Sequence, residues 1–175
     1  MALDSGRSEI SASMHPLRQL LDWFPDRDFA VLDHGFLPHG RDYSMVVESA
    51  LGKDPGRHRV QFTHTVVATY ITRVADDLWQ KSWKDIFINY DEWELAGTPP
   101  GFLWGTNWSL ADGGIKAVEP SPLADDWSER LKKPMHHLTL ETDRFSLVLI
   151  FHSLRTAKID DRTDTVSQVI APVEE

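Results

Sequence analysis

Alternating hydrophobic and polar positions recur along the chain from residue 29 onward and predict β-strands. The pattern covers residues 29–32, 43–50, 58–74, 102–110, 135–141 and 145–158. Such alternation is typical of strands that bury one face of an antiparallel sheet. Turn-forming residues at 52–56 and 142–144 predict two hairpins, and residues 112–114 predict a further turn. Residues 145–151 are apolar on both faces, which predicts a central strand.

Three other segments carry apolar residues at helical spacing. Residues 15–24 predict one helix, residues 76–97 predict one or two helices ending at Gly97, and residues 121–131 predict a helix with Ser121-Pro122 at its start. The predicted fold class is therefore α+β, with a mainly antiparallel curved sheet or open sandwich and a few short helices. We expect a single domain at residues 15–158, a flexible N-terminal tail at 1–14 and an acidic C-terminal tail at 159–175.

Composition narrows the classes of function. The 175 residues include no cysteine, which excludes disulfides, thiolate zinc sites and cysteine nucleophiles. A formal net charge of −9 argues against nucleic-acid binding and favours a basic partner. The sequence shows no secretory apolar region near its start, and its longest later apolar run, residues 147–151, is too short to cross a bilayer. We therefore expect a cytoplasmic protein that binds no membrane.

A loop after the first predicted strand gathers residues that could form a ligand site or a metal site. These residues are His34, His39, Arg41 and Asp42. If His64 or His152 lay at the same end of the sheet, neutral imidazoles and a carboxylate could hold a divalent metal. We otherwise expect no cofactor.

A simpler interpretation gives the same residues structural roles. Asp33 and Asp42 would order the loop, Arg41 would pair with them, and His64 and His152 would be core histidines bonded to backbone groups. The sequence also contains no nucleophile elbow, phosphate-binding loop, zinc-protease motif or dinucleotide fingerprint. Catalytic residues therefore cannot be assigned.

Tryptophan and acidic residues are concentrated at residues 76–94. The candidate partner-binding residues are Trp79, Trp93, Asp91, Glu92 and Glu94. Large aromatic rings are enriched in binding hot spots, and the surrounding acids would suit a basic protein. The alternative is that these rings close the core over the sheet.

The adjacent His136 and His137 must face opposite sides of a strand, so they cannot share one site.

Four segments resemble the YxiG-like family of small bacterial proteins. The segments are residues 33–43, 101–110, 130–141 and 151–154, and the resemblance spans residues 29–158. It implies no catalytic residues, because none is assigned in this largely uncharacterised family. A founding member encoded near a toxin system implies an immunity role by genomic association.

The favoured hypothesis is a non-enzymatic protein-binding domain, with an immunity-type inhibitor of a basic toxin as its specific form. The alternative is a small enzyme or ligand-binding domain that uses the loop of His34, His39, Arg41 and Asp42. The sequence does not identify the partner or the oligomeric state.

Overall fold

The structure is a computed structural model, and it describes residues 29–50, 55–82, 90–98 and 108–159. The helix predicted at residues 15–24 and the predicted N-terminal tail lie outside the described residues. All but the first residue of the predicted C-terminal tail also lies outside them. None of the helices in the described ranges is long and apolar enough to cross a membrane.

The described part of the chain consists mainly of β-strands, with a few short helices. The strands are β1 (Phe29–Phe36), β2 (Tyr43–Ser49), β3 (Gly56–Thr63), β4 (Val67–Thr72), β5 (Ser109–Ala117), β6 (His136–Thr142), β7 (Phe145–Phe151) and β8 (Ser153–Lys158). The helices are α1 (Asp76–Ser82), α2 (Tyr90–Leu95) and α3 (Pro122–Leu131). The fold is therefore α+β, as the sequence predicts.

The strands form one antiparallel sheet in the order β4-β7-β6-β5-β1-β2-β3-β8. Both predicted hairpins are present, as β2 with β3 and β6 with β7. The strand β7 has a neighbour on each side, which confirms its predicted central position. The sheet curves around a common core but does not close, because β4 and β8 stand at its two ends.

The prediction of one long strand at residues 58–74 is wrong, because the chain bends at His64. This residue has a left-handed backbone with φ of 50°, and β3 and β4 lie on either side of the bend. The consecutive residues Phe62 and Thr63 are both buried and His64 is exposed, so the predicted alternation of faces fails here. A similar break at His152 divides the predicted strand 145–158 into β7 and β8.

The turn predicted at residues 112–114 is also wrong. These residues belong to β5, whose pairing with β6 shifts register between Ala111 and Ile115. Gly114 has φ of 71°, a conformation that glycine adopts readily and that suits a bulge. The chain therefore continues through the glycine pair without reversing.

The core lies inside the curve of the sheet. Its fully buried members include Phe62 and Phe151, whose rings meet edge to face at 4.9 Å. On the outer face, Ala124 of α3 joins Met135 and Ile150 in a second, smaller cluster. Since β7 contributes to both clusters, its two apolar faces are explained.

A bulge in β1 determines which of its side chains face the core. Val31 lies opposite Val47, but the next paired residue is Asp33, opposite Val46, so Leu32 is an extra residue. The shift reverses the alternation and places His34 opposite the buried Met45. The prediction that His34 lies in a loop after the first strand is therefore wrong, because His34 lies within β1.

Candidate functional site

An open cleft of about 390 Å³ lies at one end of the curved sheet. It is lined by residues of β1, β4, β7 and α1 and by Trp108 and Ser109 at the start of β5. The cleft opens where β1 and β5 separate, since their pairing involves only Ala30 with Leu110 and Val31 with Ser109. Its size falls within the usual range of ligand sites, which begins at about 300 Å³.

Aromatic rings form much of the cleft surface. The ring of His34 lies 4.6 Å from the ring of Phe145 and 5.8 Å from the ring of Tyr70. Tyr70 is 53% exposed, Trp108 is 37% exposed and Trp79 is 36% exposed. These three large rings therefore offer accessible surface around a single depression.

His34, in the wall of the cleft, is hydrogen-bonded to Tyr43, which is buried. His34 Nδ1 lies 2.6 Å from the hydroxyl oxygen of Tyr43. Burial lowers the pKa of His34, and the charge of Asp33 opposes this shift only in part. Burial, together with the charges of Asp33 and Tyr70, raises the pKa of Tyr43 to about 12. Both groups are consequently neutral near pH 7, so the hydrogen bond between them is one between uncharged side chains.

A second cluster lies at the other end of β4, where the bends at His64 and His152 meet the loop between β1 and β2. We call it the histidine corner and define it as Arg41, Asp42, His64, Lys133 and His152. Lys133 belongs to it because its neighbour Pro134 has its carbonyl 2.8 Å from His152 Nδ1 and because its charge acts on His64. The Thr65 amide donates to the Arg41 carbonyl at 2.8 Å, and the His152 amide donates to the Thr63 carbonyl at 3.0 Å. These backbone bonds fix the three segments relative to one another.

Asp42 organises the histidine corner. The residue is 1% exposed, and its carboxylate accepts from Arg41 Nε at 2.8 Å, Arg41 Nη2 at 3.0 Å, Gln61 Nε2 at 2.8 Å and the His64 amide at 3.0 Å. The Arg41 guanidinium is the main cause that holds the pKa of Asp42 well below its usual range. Because both oxygens already accept bonds, Asp42 acts as a structural anchor here.

The structure brings five of the six predicted ligand or metal residues to the histidine corner or its edge. His39 lies at the edge, with Nε2 3.9 Å from Asp42 Oδ2, and the rings of His64 and His152 meet at 5.8 Å. His34 does not join them, because it faces the aromatic cleft. Across the described ranges, no three His, Asp or Glu side chains are arranged to hold a metal ion.

The structural alternatives for these residues are confirmed in part. Arg41 pairs with Asp42 as predicted, but Asp42 bonds the backbone of His64 and thereby reaches beyond its own loop. His152 Nδ1 bonds a backbone group, the Pro134 carbonyl, at 2.8 Å. The prediction of a core histidine is wrong for His64, which is exposed.

The structure describes only part of the predicted acidic surface. Asp91 and Glu94 are exposed on α2, and Trp93 is half-buried. The side chain of Glu92 is not among those that the structure describes. Trp79 lines the aromatic cleft, where its indole N–H donates to Thr72 Oγ1 at 3.2 Å. The role of these residues in binding a partner stays a prediction.

Sequence reasoning missed most members of the cleft, including Tyr70, Trp108 and Arg144. Tyr70 alternates with core residues, so its pattern predicts burial, but its place on the end strand β4 leaves it exposed. Arg144 occupies the turn between β6 and β7, and its sequence context gives no sign of a cleft.

The fold and its surfaces define an α+β domain with an open aromatic cleft. A model of the YxiG-like protein family matches residues 13–168, and the chain therefore belongs to this family. No curated protein matches the chain significantly. Among solved structures, the crystal structure of an uncharacterised protein from Neisseria gonorrhoeae covers 77% of this chain and 98% of its own, with 4% identity and a TM-score of 0.32. A similarity this weak supports no argument about function.

Proposed function

We propose that the protein is a non-enzymatic binding domain that recognises a basic protein through the aromatic cleft. The observation that supports this proposal is the exposure of Tyr70, Trp79 and Trp108 around one depression. Tyrosine and tryptophan are the residues most often found as interface anchors, because each buries a large area with few rotatable bonds. Exposed rings of this kind gain most when a partner covers them.

Charge favours a basic partner over an acidic one. The chain carries a formal net charge of −9, although within the cleft lining the exposed Asp33 is matched by Arg144. Asp76 and Asp77 are exposed in the first turn of α1, the helix that also carries Trp79. Complementary charge speeds the encounter with a basic protein, and arginine side chains stack well on tryptophan rings.

A comparison of three baits tests the aromatic cleft. Wild-type protein, the double variant Tyr70→Ser/Trp108→Ser and the control Leu123→Ser would each be used to capture proteins from the native host. Leu123 is a suitable control, because it is an exposed apolar residue on α3, which packs on the outer face of the sheet. We expect a basic protein to bind the wild type and the control, with affinity for the double variant lower by at least about thirtyfold. Equal capture by all three baits would contradict the proposal.

Charge reversal tests the acidic surface separately. The pair Asp91→Lys/Glu94→Lys alters two exposed residues of α2. If these acids contribute, the captured partner should bind the variant more weakly and with a flatter dependence on salt. Unchanged affinity and salt dependence would restrict the proposal to the aromatic cleft.

An immunity-type inhibitor of a basic toxin is the specific form of this function that the family resemblance implies. A captured protein that is toxic when expressed alone, and harmless when expressed with this chain, would support that form. We also place this action in the cytoplasm, a location that fractionation of the native host would test.

A further inference from the structure

Positive and titratable side chains collect at the histidine corner, although the chain carries a formal net charge of −9. Arg41 precedes β2, His64 and His152 occupy two bends, and Lys133 follows α3. The side chain of Arg41 is 59% exposed, and His64 and Lys133 are also exposed. A ligand could therefore reach all three from solvent.

The Asp42 carboxylate accepts hydrogen bonds from only part of this cluster. Asp42 uses its oxygens on Arg41, Gln61 and the His64 amide. Arg41 gives Asp42 only its Nε and one Nη2 bond, so the other N–H groups of its planar guanidinium are not used on this partner. The bidentate pair also holds the guanidinium in one orientation, which prepares it for a second acceptor.

The two imidazoles can act as proton-dependent donors. The Pro134 carbonyl can only accept a hydrogen bond, so His152 Nδ1 carries the proton at 2.8 Å from it, and Nε2 is the atom that gains a proton when the ring becomes charged. The ring of His64 lies edge to face with that of His152 at 5.8 Å. At this distance a charge on His152 lowers the pKa of His64.

Although His64 is exposed, loss of part of its hydration lowers its pKa, and the charges of Arg41, Lys133 and His152 lower it further, while Asp42 acts in the opposite direction. Two other histidines flank the cluster: His39 near Asp42, and His136, on which the charges of His152 and Glu119 act. Positive groups in such proximity favour the arrival of an anion, because an anion relieves their mutual repulsion.

We propose that the histidine corner binds a phosphate group, with Arg41, Lys133 and the protonated forms of His64 and His152 as its donors. A phosphate dianion offers several oxygens and a double charge, which match a cluster of separate donors better than a planar carboxylate does. The site is distinct from the aromatic cleft, because β4 begins beside the histidine corner and ends at Thr72 in the cleft wall. Free phosphate and a small organic phosphate ester share this chemistry.

Nuclear magnetic resonance of the histidine rings tests the proposal on the full chain. Inorganic phosphate, phenyl phosphate and sodium chloride would be titrated in turn at matched ionic strength. We expect both phosphates to raise the pKa of His64 and to bind more tightly as the pH falls from about 8 to about 7, a range in which both phosphates keep much of their second charge. A stronger response to phenyl phosphate would identify an organic ester, and equal responses would identify the bare phosphate group. No response, or the same response to chloride, would overturn the proposal.

Two substitutions and a matched control locate the site. His64→Asn removes the imidazole but tolerates the left-handed backbone, and Lys133→Gln removes one charge. Each should weaken phosphate binding by about tenfold, the effect of losing one charge-assisted bond. The control Lys132→Gln removes the same charge from the adjacent exposed residue, which is not among the charges that act on His64. Equal weakening by Lys132→Gln and Lys133→Gln would show diffuse charge attraction and would refute a defined site.

Discussion

The buried carboxylate of Asp42 joins two parts of the chain that are 22 positions apart, because it accepts the amide of His64. Its pKa in the folded protein is lowered, chiefly by the bond from Arg41, so folding favours the ionised form. Stability from this group is therefore fully present above the ordinary carboxyl pKa of about 4 and is lost as the pH falls below it. At neutral pH the anchor is intact.

Replacing this carboxylate should lower stability in a pH-dependent manner. Asp42→Asn removes the charge and half of the acceptor capacity, so we expect a loss of about 2 kcal/mol in the free energy of unfolding at pH 7. The difference from wild type should shrink at about pH 3, because the wild-type group then loses its own advantage. Urea unfolding at both pH values measures this.

Asp126→Asn is the matched control for Asp42→Asn. Asp126 is exposed and pairs with Arg130 at 3.5 Å on α3. Its substitution should change stability by no more than about 0.5 kcal/mol. If Asp42→Asn were equally mild, the role of Asp42 as an anchor would be wrong.

At the scale of single elements, α3 shows how a local sequence signal stabilises a helix. Ser121 Oγ accepts the Ala124 amide at 3.1 Å and lies 2.8 Å from His137 Nδ1. Ser121→Ala should therefore destabilise the protein by about 1 to 2 kcal/mol, which thermal unfolding would measure. Ser121→Thr retains the hydroxyl and should restore most of the loss. Equal losses for both variants would point to packing at this position and against the cap.

The bounds of α3 agree with the prediction because the Ser121-Pro122 start depends on neighbouring residues alone. The two hairpins were also predictable, since their turns and alternating strands are close in sequence. The bend at His64 was not, because the bond from its amide to Asp42 depends on tertiary structure. The glycine pair at 113 and 114 suits a turn as well as a bulge, and only pairing with β6 distinguishes the two.

The candidate sites were predictable to different degrees. Proximity in sequence correctly grouped His39, Arg41 and Asp42, and the bends then brought His64 and His152 beside them. The aromatic cleft draws its walls from four strands and a helix, so the spacing of residues in the sequence gives no account of it.

At the scale of the whole molecule, continuous strand pairing should make unfolding a single cooperative event. The strands β3 and β4 lie on either side of the bend at His64, and β7 and β8 lie on either side of the bend at His152. Because β3 pairs with β8 and β4 pairs with β7, the two bends lie side by side in the sheet. Thr63 and Ser153 reinforce this arrangement, with their hydroxyl oxygens 2.7 Å apart. Neither half of the sheet should persist once the other has opened.

Core truncations on opposite sides of the bend test this cooperativity. Met45→Ala in β2 and Leu140→Ala in β6 each remove a fully buried side chain, and each should cost about 2 to 5 kcal/mol. In both variants, circular dichroism and tryptophan fluorescence should report the same unfolding midpoint. Two separate transitions in either variant would mean that the halves fold independently.

The bulge at Leu32 has an evolutionary consequence. Loss of this one codon would leave Val31 opposite Val47, Asp33 opposite Val46 and His34 opposite Met45, because only the extra residue of the bulge would be removed. Related proteins could therefore lose this bulge by a single deletion and still keep the imidazole of His34 in the cleft.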